Sequence, residues 1–207
     1  MEIFPLYTIG VDANFAAPAP ASALLSTGLV NAGFLAIFRI YRLFVHTEVF
    51  EWVQHVMLII GVLSLGVGAL FLRRTNNYKR FLSYSTVENM GIVAIGMGIG
   101  GLALWAAVFH VIAHTFVKSS MFYQAGVMRH IYDSYSINRI GNYININRVG
   151  TIGFIVGTLI LLAFPPSPLF ISEVMIFSEI VSVGAVCLLA LMLILMCVVL
   201  CAIWART

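Results

Sequence analysis

Within the apolar run Leu102–Met128 the chain carries His110, His114 and Lys118 at every fourth position. A run of this length spans a bilayer. On an α-helix the three side chains fall on one slowly drifting face, about 6 Å apart along the axis at ~1.5 Å rise per residue. An ionisable group at mid-membrane costs at least ~2.5–3.5 kcal/mol on insertion scales, so the fold must turn this face toward protein or a polar cavity. Imidazole and amine groups take up and release protons, and the triplet therefore reads as a path for protons or cations. Three plainer readings compete with it. One is a satisfied pair of core histidines, which Lys118 on the same face disfavours. Another is a structural polar seam between helices. The third is a zinc pair, but no Glu follows His110 as in the metalloprotease pattern and no third ligand is evident.

The rest of the chain is built to match. Apolar residues make up 61% and charged residues 9%, against about 25% charge in a soluble domain. Mean hydropathy is +1.03. This composition predicts an all-α integral membrane protein of about six to seven transmembrane helices in a single membrane domain, residues 1–207. Ten-residue alternating strands are absent, which excludes a barrel. A soluble enzyme core and a nucleic-acid surface are excluded with it. Cys187, Cys197 and Cys201 all lie in the last apolar run without cluster spacing, so no iron–sulfur centre or disulfide framework is expected. No cofactor and no metal are expected. Met-Glu-Ile-Phe-Pro at the start lacks a basic region and a cleavage site, so no signal peptide is expected.

Taken in order, residues 1–20 are mixed, and Pro18 and Pro20 mark entry to a first span of about Ala21–Phe38. Residues 39–52 read as loop or interface. Further spans follow at about Val53–Leu72, with His55 near its start, and at Phe81–Ile99, which contains Glu88. Gly96, Gly98, Gly100 and Gly101 predict close helix packing or a helix break rather than a phosphate loop, since no strand precedes them. Leu102–Met128 is the next span, and residues 129–148 form a polar loop. Another span begins at Gly150, with Gly153 and Gly157 at helix-contact spacing. Pro165, Pro166 and Pro168 then interrupt it, and broken backbone at this depth must face protein or a cavity. Helix resumes over Leu169–Glu179 with Glu173 in an apolar setting, and a last span runs from about Val181 to Trp204. Loops 73–80 and 129–150 fall on one side and hold most of the basic residues; the positive-inside rule places them, and the N-terminus, in the cytoplasm.

Four ordered segments carry a family resemblance over almost the whole chain. They are Ala17-Pro-Ala-Pro-Ala-Ser-Ala-Leu-Leu-Ser26, Tyr78-Lys-Arg-Phe-Leu-Ser-Tyr-Ser-Thr-Val-Glu-Asn-Met-Gly91, the His110/His114/Lys118 helix with Ser119-Ser-Met-Phe-Tyr-Gln-Ala-Gly126, and Phe164-Pro-Pro-Ser-Pro-Leu-Phe-Ile-Ser-Glu173. They resemble the antiporter-like, proton-translocating membrane subunits of respiratory complex I, of hydrogenase-4 and formate hydrogenlyase type membrane hydrogenases, and of multisubunit Mrp cation/proton antiporters. The Val-Glu-Asn-Met-Gly form around Glu88 is most similar to the hydrogenase branch. The match corresponds to the family's seventh to thirteenth helices, so the second of its two inverted repeats is mostly present and the first largely missing. Carried over by position, the resemblance implies a path through His110, His114, Lys118, Glu173, Glu88, His55 and Lys79. The chain departs from the family at Asn31, where members have a lysine, and at Tyr7, Val11 and Asn14, where histidines and a proline are usual.

The expected function is a non-redox subunit that conducts protons or sodium ions in the cell (inner) membrane. Its expected partners are the lipid bilayer and other membrane subunits of a hydrogenase or complex I-like assembly. The alternatives are a subunit of a multisubunit cation/proton antiporter, and a truncated membrane scaffold that pumps nothing. Without the first repeat, the chain alone is expected not to move protons across the whole bilayer.

Overall fold

The computed structural model describes residues 2–204, with backbone alone over 198–204; the Cys201 side chain lies outside the described residues. Regular structure among the described residues is helical, and the one contact of strand type is the isolated bridge Asn77–Ser136. The helices are α1 (Tyr7–Ala16), α2 (Ala19–Leu24), α3 (Val30–Phe44), α4 (Phe50–Leu72), α5 (Tyr78–Ile99), α6 (Gly101–Tyr132), α7 (Tyr143–Ile146), α8 (Arg148–Leu161), α9 (Pro168–Ser182) and α10 (Val186–Trp204). A π-helical turn, Leu25–Leu29, joins α2 to α3 into one apolar span, Ala19–Phe44. With α4 and α6 this gives three helices long and apolar enough to cross a membrane, alongside the shorter apolar α8 and the Val186–Cys197 part of α10.

The bundle is organised around α5, which is buried almost continuously from Leu82 to Gly98. Asn77 starts it, its side-chain oxygen accepting from the Lys79 amide at 3.0 Å, which satisfies a backbone donor the first turn would otherwise leave open. Helix α4 packs closest to α5. A Cβ at Gly91 would stand 2.8 Å from both the Gly61 carbonyl oxygen and the Leu65 amide nitrogen, so backbone meets backbone there. The next glycine pair does what its spacing predicts: Gly100 and Gly101, at φ +79° and +53°, end α5 and start α6.

Several boundaries differ from the sequence reading. Residues 7–16 form a helix, α1, where mixed composition gave no periodic signal. The first span runs on to Phe44 because Arg39 and Arg42 ride exposed on the last turns of α3 instead of opening a loop; long basic stems tolerate that position at a membrane edge. Helix α6 extends past Met128 to Tyr132. The proline interruption lies where expected: α8 stops at Leu161, and Ser167 caps α9 by accepting from the Phe170 amide at 3.2 Å. A second break, expected near residue 180 between the Leu169–Glu179 helix and the last span, falls at residues 183–185. It turns on Gly184 at φ +78° and separates α9 from α10.

The two basic loops meet, as their common side requires. Tyr78 N donates to Tyr135 O at 2.9 Å and Ile137 N to Asn76 O at 3.0 Å. Gly157 of α8 faces Met121 of α6, and Gly153 faces Gln124, so the glycine spacing on α8 is a helix contact.

Candidate functional site

His110, His114 and Lys118 all point into the interior of the bundle and are at most 1% exposed. Helices α5 and α9 supply what surrounds them. The Asn89 amide nitrogen donates to Ser85 O at 2.7 Å, which leaves its oxygen toward His110. His110 Nε2 donates to that oxygen at 3.0 Å, and His110 Nδ1 lies 2.9 Å from Ser172 Oγ on α9. Ser172 Oγ also lies 2.7 Å from Leu169 O. This geometry serves both charge states of the ring. A neutral His110 accepts the Ser172 hydroxyl proton at Nδ1; a protonated one donates to Ser172, whose proton then turns to Leu169 O. The imidazole thus bridges three helices without either state stranding a buried donor.

One turn along α6, the His114 ring lies nearly parallel to His110, with centroids 6.5 Å apart and 15° between planes. Its Nε2 is buried and has no hydrogen-bond partner among the described residues. A further turn along, the Lys118 ammonium donates to Leu82 O at 2.5 Å and to Ser85 Oγ. Ser85 is thereby shared: its carbonyl holds Asn89, which holds His110, and its hydroxyl holds Lys118.

Glu88, 8% exposed, sits one turn beyond Ser85 on α5. A Cβ at Gly68 would stand 2.9 Å from Glu88 Cβ, so α4 needs glycine there to close over the base of this side chain. Glu88 and Ser85 line a cavity of ≈ 20 Å³ with Leu72 and Thr158, about the space of one water molecule. Glu173 is 4% exposed on α9, beside Ser172. Of the seven residues singled out in the sequence, His110, His114 and Lys118 are therefore buried on α6, and Glu88 and Glu173 are buried on the neighbouring α5 and α9.

The other two lie apart. Lys79 is buried at the start of α5, where its ammonium donates to Phe15 O at 3.1 Å and to Ala17 O and sits 5.2 Å from the centre of the Tyr135 ring. It ties the α1–α2 joint to α5. His55 is exposed on α4, its Nδ1 donating to Glu51 O at 2.7 Å. It lies toward the opposite end of the α4–α5 hairpin from Lys79. No group of three or more His, Cys, Asp or Glu arranged to hold a metal occurs among the described residues.

Sequence reasoning passed over Asn89, Ser85 and Ser172. Each is an uncharged polar residue on a helix, unremarkable alone; Ser85 and Asn89 are spaced i, i+4, and that spacing was the available signal. It also passed over Glu2, which is 7% exposed and bound by Asn14 Nδ2 to its Oε1 at 2.8 Å.

A model of the transmembrane region shared by NADH:quinone oxidoreductase and Mrp antiporter subunits matches residues 1–199. The chain belongs to that family. It is a multi-pass membrane protein, and an inner cell membrane fits the family's bacterial members. Among curated relatives, a probable inorganic carbon transporter subunit, DabB1, of Halothiobacillus neapolitanus is 38% identical over 127 residues, 61% of this chain and 22% of that protein. A hydrogenase-4 component F homolog of Methylacidiphilum infernorum is 30% identical over 178 residues, 86% of this chain and 37% of that protein. Of solved structures, the archaeal membrane-bound sulfane sulfur reductase superposes at TM-score 0.89 and 24% identity, covering 99% of this chain and 42% of the other. The Mrp complex of Dietzia superposes at 0.85 and 17%, covering 97% and 38%. These superpositions identify an antiporter-like fold, present in part: the chain spans less than half the length of each of these family members.

Proposed function

We propose that this chain conducts protons, as the non-redox part of a membrane subunit in an energy-converting oxidoreductase of the membrane hydrogenase or NADH-quinone oxidoreductase type, with other membrane subunits as its partners. The observation that carries this reading is the buried group itself. His110, His114 and Lys118 are buried on α6, Glu88 and Glu173 are buried on the neighbouring α5 and α9, and His110 is hydrogen-bonded to both of those helices so that it can gain or lose a proton in place. Burying ionisable groups this way costs several kcal/mol that a purely structural seam has no need to spend. Energy would come from electron transfer in partner subunits, since the group holds nothing that carries electrons. Sodium is the alternative ion.

A second reading has one observation behind it. The 38% identity to a probable inorganic carbon transporter subunit favours the same path serving solute uptake rather than a redox reaction.

Proton uptake by membrane vesicles carrying the assembled complex tests the path. Lys118→Ala is expected to lower uptake by at least about tenfold, as for loss of a proton-transfer group, while partner electron transfer continues and Lys118→Arg assembles normally. Undiminished uptake in Lys118→Ala would remove Lys118 from the path and leave a structural seam. Supplying an electron donor or inorganic carbon to the same vesicles separates the two readings.

A further inference from the structure

One carbonyl beside Lys118 has more donors than it can bind. Leu82 O of α5 receives the Lys118 ammonium at 2.5 Å, Ser85 Oγ at 3.1 Å and Thr86 Oγ1 at 3.1 Å. Within the helix it also receives the Thr86 amide, four residues on. A carbonyl oxygen has two lone pairs. Ser85 has no other acceptor among the described residues: its oxygen accepts from Lys118 while its proton points to Leu82 O. Thr86 does have one. Its Oγ1 lies 3.3 Å from Ser26 Oγ, and either hydroxyl can donate to the other. Ser26 belongs to the π-helical turn that joins α2 to α3. Both residues are at most 1% exposed, so bulk solvent does not replace a lost partner.

We infer that Thr86 is a positioning residue for Lys118, its hydroxyl proton turning from Leu82 O to Ser26 Oγ when the lysine is charged. The ammonium takes Leu82 O in preference to a neutral hydroxyl, because hydrogen bonds from ions are about twice as strong. Thr86 then donates to Ser26. When Lys118 passes its proton on, it becomes an amine and a weaker donor; Thr86 returns to Leu82 O and accepts from Ser26. The proton that leaves Lys118 is the one transferred. Both hydroxyl protons rotate about their C–O bonds and stay attached. The charge of Lys118 is in this way registered across α5 on the α2–α3 span. This inference rests on the proton path proposed above.

Two deletions have opposite signs. Ser26→Ala leaves Thr86 with Leu82 O as its acceptor in both states, in competition with the ammonium, and disfavours charged Lys118. Thr86→Val removes that competitor, together with a bond that the neutral form keeps, and favours charged Lys118. The other buried acids, histidines and lysine (Glu2, Lys79, Glu88, His110, His114 and Glu173) are the same in every variant. The test is proton uptake by the assembled complex as a function of pH. The midpoint of the limb that Lys118 governs is expected to move down by about half a pH unit in Ser26→Ala and up by a similar amount in Thr86→Val, the scale of one hydrogen bond. Thr86→Ser, which restores the hydroxyl, should keep the wild-type midpoint. With uptake lost in Lys118→Ala, midpoints that stay in place or move together overturn the role of Thr86 and leave the path standing. Undiminished uptake in Lys118→Ala overturns the path and this inference with it. Should Ser26→Ala fail to assemble, Ser26→Cys, a weaker acceptor at the same place, is expected to move the midpoint down by less, and an unmoved midpoint there overturns the inference.

Discussion

Helix α6 carries two polar seams that differ in kind. Toward α5 and α9 it presents His110, His114 and Lys118, all ionisable and buried. Toward α3 it presents Thr115, which donates to Val111 O at 2.8 Å and pairs with Asn31, whose amide nitrogen lies 2.9 Å from Thr115 Oγ1 and whose oxygen lies 3.1 Å from it. The second seam is closed: hydroxyl and amide satisfy one another, and neither changes charge at working pH. The first seam is left open at His114 Nε2 and beside the small cavity at Glu88. A helix can therefore hold neighbours by polar contacts without conducting anything, and what separates the two seams is the presence of groups that titrate and of acceptors left free. The family resemblance implies a lysine at the position of Asn31; with asparagine there, this seam is neutral.

The contrast can be broken at three points. The largest effect is expected at Glu173. Glu173→Gln keeps size and hydrogen-bonding capacity but cannot titrate, and proton uptake by the assembled complex should fall by at least about tenfold with assembly intact. Glu173→Asp should keep part of it, and full uptake in the Gln variant would mark Glu173 as a packing carboxylate. A smaller effect is expected at Ser172. Ser172→Ala removes the partner of His110 Nδ1 and should slow uptake several-fold, on the scale of one hydrogen bond of about 1 kcal/mol; an unchanged rate would show that His110 stays uncharged during transport. The smallest effect on transport is expected in the neutral seam. Thr115→Val together with Asn31→Leu should leave uptake within about twofold, while Thr115→Val alone should lower thermal stability by about 1 kcal/mol through the unpaired Asn31. A transport loss in the double variant as deep as that of Glu173→Gln would abolish the distinction between the seams.

Much of this was legible in the sequence, and for a physical reason. Ionisable residues in apolar runs are costly enough to stand out singly, so His110, His114, Lys118, Glu88 and Glu173 were visible one by one. The prolines at 165–168 were equally direct, because Pro165 and Pro166 cannot continue a helix and Pro168 suits only the start of one. The supporting residues were hidden. Ser85, Asn89 and Ser172 matter only through partners on other helices, and a serine or asparagine on a helix looks alike whether it contacts His110 or its own preceding carbonyl. Helix α1 was missed because residues 7–16 lack a helical apolar stripe, and with it went Glu2. The break before the last span was placed a few residues early, near 180, because one glycine, Gly184, in a long apolar stretch is a weak boundary signal. His55 was carried over by position from the family resemblance, and the structure leaves it exposed on α4, apart from the buried group.

Helix α5, the most deeply enclosed in the bundle, does not qualify on composition as a membrane-crossing helix. It carries Lys79 and Arg80 at its start and Ser83, Ser85, Thr86, Glu88 and Asn89 toward its middle. Released alone into lipid, the serines, Thr86 and the Asn89 amide nitrogen would keep their bonds to α5 carbonyls, but the charged Lys79, Arg80 and Glu88 would make partitioning unfavourable. Its biogenesis must therefore be cooperative. The short turn between Leu72 and Tyr78 delivers α5 directly against α4, where Gly61 and Gly91 allow contact at once, so the pair can leave the insertion machinery as a hairpin rather than as separate helices. Bulky substitutions at Gly61 or Gly91 would then act earliest during synthesis, as a failure of α5 to enter the membrane.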